Sequence, residues 1–171
     1  MKNKKLIKIA LYAIIIAVYV ALSLALGAFS FGQIQIRIAE VLVIFCLVSL
    51  GYTIPLTIAC LITNVLGLTL GMDFLPLDFI FGTLATLISC LLAYYFRKKL
   101  WFGLPILSLL MPCIANGIIV GLELMITFDM GMVGFLTNFL FVFLGEFISC
   151  VLFGSLLYKP FLRVYQNFII E

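Results

Sequence analysis

Long apolar runs broken by short polar or glycine-bearing stretches divide the chain into six segments. The first runs from about Leu6 to Ala28. A polar hook, Ser30 to Arg37, leads into a short second segment that ends near Leu50. Gly51-Tyr52-Thr53 turns the chain, and a third segment continues to about Leu70, where Gly71-Met72-Asp73 and Pro76 break it. The fourth covers about Leu77 to Phe96 and stops at Arg97-Lys98-Lys99. The fifth and sixth run from about Leu104 to Thr127 and from about Phe135 to Tyr158, with Phe128 to Gly134 between them. Crossing a bilayer as a helix takes about 20 apolar residues, and five of the six segments have that length. The second does not: Arg37 to Leu50 is 14 residues, or about 21 Å of helix against a core of about 30 Å. It is either buried among the other helices or fails to cross fully, with the hook dipping into the membrane. Irregular backbone at that depth has to be covered by protein or line a cavity.

Composition fixes the class. Of 171 residues, 66% are AVILMFWYC and 10% are charged, and the mean hydropathy is +1.37. Soluble domains are about 45–50% apolar and about 25% charged. Soluble enzymes, nucleic-acid binders and disordered regulators are thereby excluded. The expected fold is an all-α polytopic membrane protein, one six-helix domain over residues 1–171, in the cell membrane. Lys2, Lys4, Lys5, Lys8, Arg97, Lys98, Lys99, Lys159 and Arg163 all fall on one side of such a bundle, and only Arg37 on the other. Cations mark cytoplasmic loops, so both termini are expected inside, together with Glu171. The apolar run from Ile9 to Phe31 is too long for a signal-peptide core and reads as a retained first helix.

Much familiar chemistry is missing. Histidine is absent, and the five cysteines lie inside apolar runs with no CxxC pair; they read as small apolar packing residues, and no metal site is expected. There is no GxxxxGK[ST], HExxH or GxSxG motif, so the chain carries no ATPase or hydrolase signature of its own and no catalytic residue is assigned.

The acids gather toward the outer half. Glu40, Asp73, Asp78 and Asp129 lie at or near that surface, Glu123 is in the outward part of the fifth segment, and Glu146 is near the middle of the sixth. An acid within the membrane costs about 2.5–3.5 kcal/mol on insertion scales and marks a functional candidate. Asn116 and Glu123 share a helix face, with Gly117 and Gly121 between them; Asn64 is followed by Gly67 and Gly71. Asp78, Gly82, Ala85, Ser89 and Ala93 form a small, partly polar stripe, and the sixth segment offers Asn138, Glu146 and Ser149. Convergence of these groups predicts a pocket open to the outside. Plainer readings stand beside it. Asp78 and Glu40 fit first helical turns, Arg37 and Glu40 are spaced for an ion pair, and the GxxxG glycines suit helix packing. Asn64 and Asn116 are placed to bond across helices, and Asp73 and Asp129 read as solvated loop residues. Glu123 and Glu146 resist a plain account best. Trp101 and Tyr158 read as interfacial anchors. In the first segment Ala13, Ala17, Ala21 and Ala25 form a strip for internal packing or for a partner subunit.

Six spans of this size with an alanine strip in the first resemble the substrate-binding S components of energy-coupling factor (ECF) vitamin transporters. More narrowly, Gln33-Ile34-Gln35-Ile36-Arg37-Ile38-Ala39-Glu40 resembles a QxRxSE-like segment of the queuosine-precursor transporter (QueT) family. Asp78-Phe79-Ile80-Phe81-Gly82-Thr83-Leu84-Ala85-Thr86-Leu87 is similar to that family's DxxFGTLAT block. Asn64, Asn116 to Gly121 and Gly145-Glu146 match further motif positions, while Ala39 departs from the expected serine. The resemblance implies a subunit that captures a 7-deazaguanine base, such as the aminomethyl precursor or queuine, from outside. It further implies docking through the first span on a transmembrane coupling protein, with two cytosolic ATPases using the ATP and no cofactor in this chain. Under that reading the candidate substrate-binding residues are Gln35, Arg37, Glu40, Asn64, Asp78, Asn116, Glu123 and Glu146, and the docking residues are Ala13, Ala17, Ala21 and Ala25. Rival readings are an S component for biotin, a folate or a riboflavin, a membrane scaffold subunit, or an intramembrane enzyme using acids such as Asp78 and Glu146.

Overall fold

The computed structural model describes residues 2–168 apart from Gln33. Gln33 and Glu171 therefore lie outside the described residues, as do the side chains of Lys2 and Lys4. The elements are α1 (Lys2–Ala25), α2 (Gly27–Ser30), a 3-10 turn at Ile38–Val43 running into α3 (Ile44–Val48), and a 3-10 turn at Leu50–Tyr52 running into α4 (Thr53–Thr69). Then come α5 (Asp78–Phe96), α6 (Ile106–Phe128), α7 (Gly131–Glu146), a π-helical stretch at Phe147–Phe153 and α8 (Gly154–Phe168). Five runs are long and apolar enough to cross a membrane: Lys5–Ala25, Leu50–Thr69, Asp78–Phe96, Ile106–Phe128 and Gly131–Asn167. Side chains such as Leu6, Ile14, Ile80, Leu140 and Leu156 stand exposed on the outer faces, as a lipid-facing surface requires. The chain is a polytopic helical membrane protein.

Helix α1 packs on α4, α4 on α5, α5 on α6 and α6 on α7. Short connections make α4, α5, α6 and α7 successively antiparallel, so the α4–α5 and α6–α7 turns share one end of the bundle, whereas α1 runs parallel to α4, with Tyr12 beside Gly51 and Phe31 beside Gly67. Arg97, Lys98 and Lys99 lie at the other end. There Tyr12, Phe45, Tyr52, Phe161 and Tyr165 form an aromatic cluster, with Phe45 and Phe161 ring centroids 4.7 Å apart and Phe45 and Tyr52 5.2 Å apart. Gly51 lets the Tyr12 side chain lie close, since a Cβ there would come within 2.6 Å of its hydroxyl and oblige it to shift.

Two segments differ from the pattern read in the sequence. The second is a stretched 3-10 turn and a short α-helix, spanning about 20 Å at the usual rises. Ala39, Glu40, Val41, Val43, Ile44, Cys46 and Leu47 in it are buried, and it packs against α1 and the π-helical stretch. Of the two expectations, burial among the other helices holds. The last helical run extends past Phe135–Tyr158 at both ends. Asp129 (φ 51°) and Gly131 (φ 63°) both adopt left-handed backbone, so the turn from α6 to α7 needs only Asp129 and Met130. At its far end α8 continues through Pro160. Tyr158 is only 9% exposed and belongs to the apolar core, which corrects its reading as an interfacial anchor. Trp101 is exposed, as an anchor should be.

Candidate functional site

The hook between α2 and the 3-10 turn is pinned by backbone bonds from the Ile36 N–H to the carbonyls of Phe29 (3.0 Å) and Ile34 (2.9 Å). It rests on α7 at Gly145, where any Cβ would collide with the Gln35 carbonyl. The Gly145-Glu146 pair thus has a division of labour: the first residue seats the hook, and the second carries a buried carboxylate beside it. Seating the hook places Arg37, 4% exposed, in the interior. Its Nη2 donates to Asp78 Oδ2 at 3.3 Å and its Nη1 to Cys60 Sγ at 3.6 Å. The guanidinium also lies 5.5 Å from the Phe31 ring centre. The local Arg37–Glu40 ion pair suggested by spacing is not formed. The 3-10 turn instead aims Glu40 at α1 and α5, where hydroxyls await it.

Five buried acids surround this one guanidinium, in two groups. In the first, Glu40 Oε1 accepts from the Tyr19 hydroxyl at 2.5 Å and from Thr86 Oγ1 at 3.0 Å. Glu146, which has Glu40 and Arg37 as its charged neighbours, accepts from Cys150 Sγ at 3.5 Å. In the second group, Asp78 faces both Asp73 and Glu123. Here both oxygens of Glu123, Oδ1 of Asp78 and Oδ2 of Asp73 are buried without a hydrogen-bond partner. Gly82 makes room for Asp78: a Cβ there would collide with Asp78 Oδ1 and come within 2.7 Å of Asn64 Nδ2. Asn64 bonds across helices as its plain reading held, donating from Nδ2 to the Asp78 carbonyl at 2.9 Å, while its Oδ1 is unpartnered. Asn116 is buried with Nδ2 unpartnered. Gly117 and Gly121 admit Phe139 of α7, whose atoms would lie 3.0 Å and 3.3 Å from added Cβ atoms. They are packing devices, as GxxxG usually is. Four cysteines depart from a purely apolar role: Cys60 is in contact with Arg37, Asn64 and Thr86, Cys150 with Glu146, Cys46 with the Thr53 hydroxyl, and Cys113 with the Leu109 carbonyl.

A cavity of about 260 Å³ opens between the hook, the α4–α5 turn and the end of α6, lined by Phe31, Gly32, Gln35, Asp73, Phe74, Leu75, Leu124, Phe128, Met130 and Asn138. Small-molecule sites run upward from about 300 Å³, so this cavity lies just under that range. Gln35 is the one sequence candidate in its wall. Asp73 is the residue that sequence reasoning missed. It is 5% exposed rather than solvated, because the Met72 and Asp73 N–H groups both bond to the Gly67 carbonyl and fold the turn inward. Its Oδ1 accepts from the Leu75 N–H at 2.9 Å. This is an Asx turn, and a carboxylate two residues before Leu75 and three before Pro76 was the signal for it. Burial first, and Asp78 second, push its carboxyl from 3.8 up to about 7. Asp129, read the same way, is indeed exposed. Asn138 lines the cavity too, with Nδ2 3.4 Å from Met130 Sδ.

Ala13, Ala17, Ala21 and Ala25 are all exposed, whereas Ile15, Tyr19 and Ser23 on the other side of α1 are buried. The strip faces away from the bundle, which excludes internal packing as its role.

A family described as "QueT transporter" matches residues 9–162. The chain belongs to the QueT transporter family. The match takes in the hook, the Asp78–Leu87 block and the Gly145-Glu146 pair. A relative from Lactococcus lactis subsp. cremoris (strain MG1363), named "Queuosine precursor transporter QueT", is 38% identical over 90 residues. That stretch is 52% of this chain and 50% of the relative, so the chain spans about half the length of the curated relative it matches. No solved structure matches the chain. The QueT family is one of transporters, not enzymes, which sets aside the intramembrane-enzyme reading. With its five long apolar helices, this QueT-family chain is a multi-pass protein of the cell membrane.

Proposed function

We propose that the chain is the substrate-binding S component of an ATP-driven ECF-type importer and captures a 7-deazaguanine queuosine precursor from outside. Support comes from family membership, from the name of the relative, and above all from the unpartnered polar atoms of Asp73 in the cavity wall and of Glu123 and Asn116 on α6, whose end borders the cavity. A guanine-type edge offers a ring N–H and an exocyclic amine as two parallel donors and a carbonyl as acceptor. The two free oxygens of Glu123 and the free Nδ2 of Asn116 have the complementary polarity, and a carboxylate accepting two parallel bonds is among the stronger hydrogen-bond arrangements. Arg37 orients Asp78, Asn64 braces the same turn, and Gln35 reaches the cavity wall. Glu40 ties the 3-10 turn that follows the hook to α1 and α5 through Tyr19 and Thr86.

In this reading the buried Ile38–Val48 segment is the sixth crossing, made shorter by its enclosure in protein. Both termini are cytoplasmic, which puts the cavity end outside and the Arg97–Lys99 end inside. The whole chain is one domain and holds no cofactor; ATP is used by two cytosolic ATPases coupled through a transmembrane partner. The exposed alanine strip is the docking surface, since small residues let another helix backbone come close. Calorimetric titration of the detergent-purified protein with 7-aminomethyl-7-deazaguanine should give saturable one-to-one binding. Ala17→Trp should abolish co-purification with the coupling protein while leaving that titration unchanged. No heat of binding from any 7-deazaguanine base would refute the substrate, and docking that survives the tryptophan would refute the interface.

A further inference from the structure

Asp73 stands apart from the groups that read a neutral base edge. It lies in the cavity wall on the α4–α5 turn, is 5% exposed, and has one oxygen tied to the Leu75 N–H and the other unpartnered. The charged groups around it are Asp78 from α5, Glu123 near Asp78 from α6, and Arg37 from the hook. From α7 the cavity receives only the uncharged Asn138. Three carboxylates therefore face one guanidinium, and that guanidinium is already engaged by Asp78. Like charges held together in a buried site raise each other's energy until a proton or another cation compensates them. A metal ion is a poor candidate for that cation, because among the described residues no three acidic, histidine or cysteine side chains are close enough together to ligate one. An ammonium group needs only two or three acceptors within hydrogen-bond reach, and the unpartnered oxygens of Asp73 and Asp78 are of that kind.

We propose that Asp73, backed by Asp78, forms a subsite for a protonated primary amine on the cargo and so selects a cationic base over a neutral one. The inference rests on the transporter reading above and refines it: Glu123 and Asn116 read the ring edge, and Asp73 reads the side-chain charge. Phe31, Phe74 and Phe128 in the same wall supply apolar surface for the flat ring. Asp73 has to be ionised to bind the amine, and its carboxyl titrates at about 7 in the ligand-free protein. Selectivity consequently weakens as the pH falls below that value, while the amine stays protonated throughout.

The test is a titration of wild type and Asp73→Asn with two probes, 7-aminomethyl-7-deazaguanine and its neutral isostere 7-cyano-7-deazaguanine, at pH 8 and pH 6. Wild type should prefer the aminomethyl base by about tenfold or more at pH 8, the usual size of one charge-assisted hydrogen bond. That preference should shrink by up to about tenfold at pH 6. Asparagine keeps the acceptor for the Leu75 N–H but not the charge, so the variant should bring the two bases to near parity. A preference that persists in Asp73→Asn, or one that does not change with pH in wild type, overturns the subsite. Equal wild-type affinity for the two bases overturns the subsite alone and leaves the transporter reading standing. Binding of neither base by wild type overturns both.

Discussion

Glu40 and Glu123 are both buried carboxylates within the same helical bundle, yet their surroundings are opposite. Glu40 is held by the Tyr19 and Thr86 hydroxyls; Glu123 has no partner on either oxygen. Glu40 lies between elements that pack directly on one another, the 3-10 turn, α1 and α5, so its hydrogen bonds close within the protein. The Glu123 group, with Asp78 and Asp73, lies on the elements that border the cavity. Buried polar groups are almost always satisfied in a folded protein, and those left open ask for a ligand, a water or an ion. The contrast teaches that burial of an acid does not by itself reveal its role. Whether its hydrogen bonds are complete without cargo is what separates a structural acid from a binding one.

Substitutions can break that contrast. The largest effect is expected from Glu40→Leu, which leaves the Tyr19 and Thr86 hydroxyls without their acceptor. It should destabilise the protein by about 3 kcal/mol, seen as a clear drop in unfolding temperature in detergent. An unchanged transition would remove Glu40 from the structural group. Next in size, Glu123→Gln should weaken binding of the base by about 10–100-fold, because one of two matched acceptors becomes a donor. Its unfolding temperature should stay at or above that of wild type, since no protein bond is lost. Retained affinity with collapsed stability would invert the assignment.

A third effect concerns pH and the ligand-free protein. The Asp73 carboxyl is raised from 3.8 to about 7 by burial, so between these values the folded state binds more protons than the unfolded state. Stability from this group is therefore complete below about pH 4 and is lost as the pH rises through about 7. Asp73→Asn should remove that slope and unfold later than wild type above pH 7. A slope that survives in the variant would show that another group causes it.

The sequence made some of this legible and hid the rest for physical reasons. Runs ended by a charge cluster or a glycine turn could be bounded closely, as the fourth segment was by Arg97-Lys98-Lys99, where α5 ends at Phe96. The second segment gave its length but not its form, because an apolar run this short looks alike as 3-10 or α-helix. The sixth is longer than its polarity suggests, since the left-handed Asp129 and Gly131 turn the chain in few residues. Arg37 was matched by spacing to Glu40, but its partner is Asp78, 41 residues away; local spacing is silent about such pairs. Loop acids are usually solvated, and only the inward fold of the turn reveals that Asp73 is buried. The alanine strip was visible as a period of four, but not which way it faced.

The central claim is that the open acids complete their hydrogen bonds on a captured base. Mass spectrometry of small molecules retained by the protein after expression in cells and purification in mild detergent tests it most directly. One 7-deazaguanine base per chain, reduced or lost in Glu123→Gln, is the predicted result. Recovery of wild-type protein with no such base, which then also fails to take one up when it is added, would contradict the account.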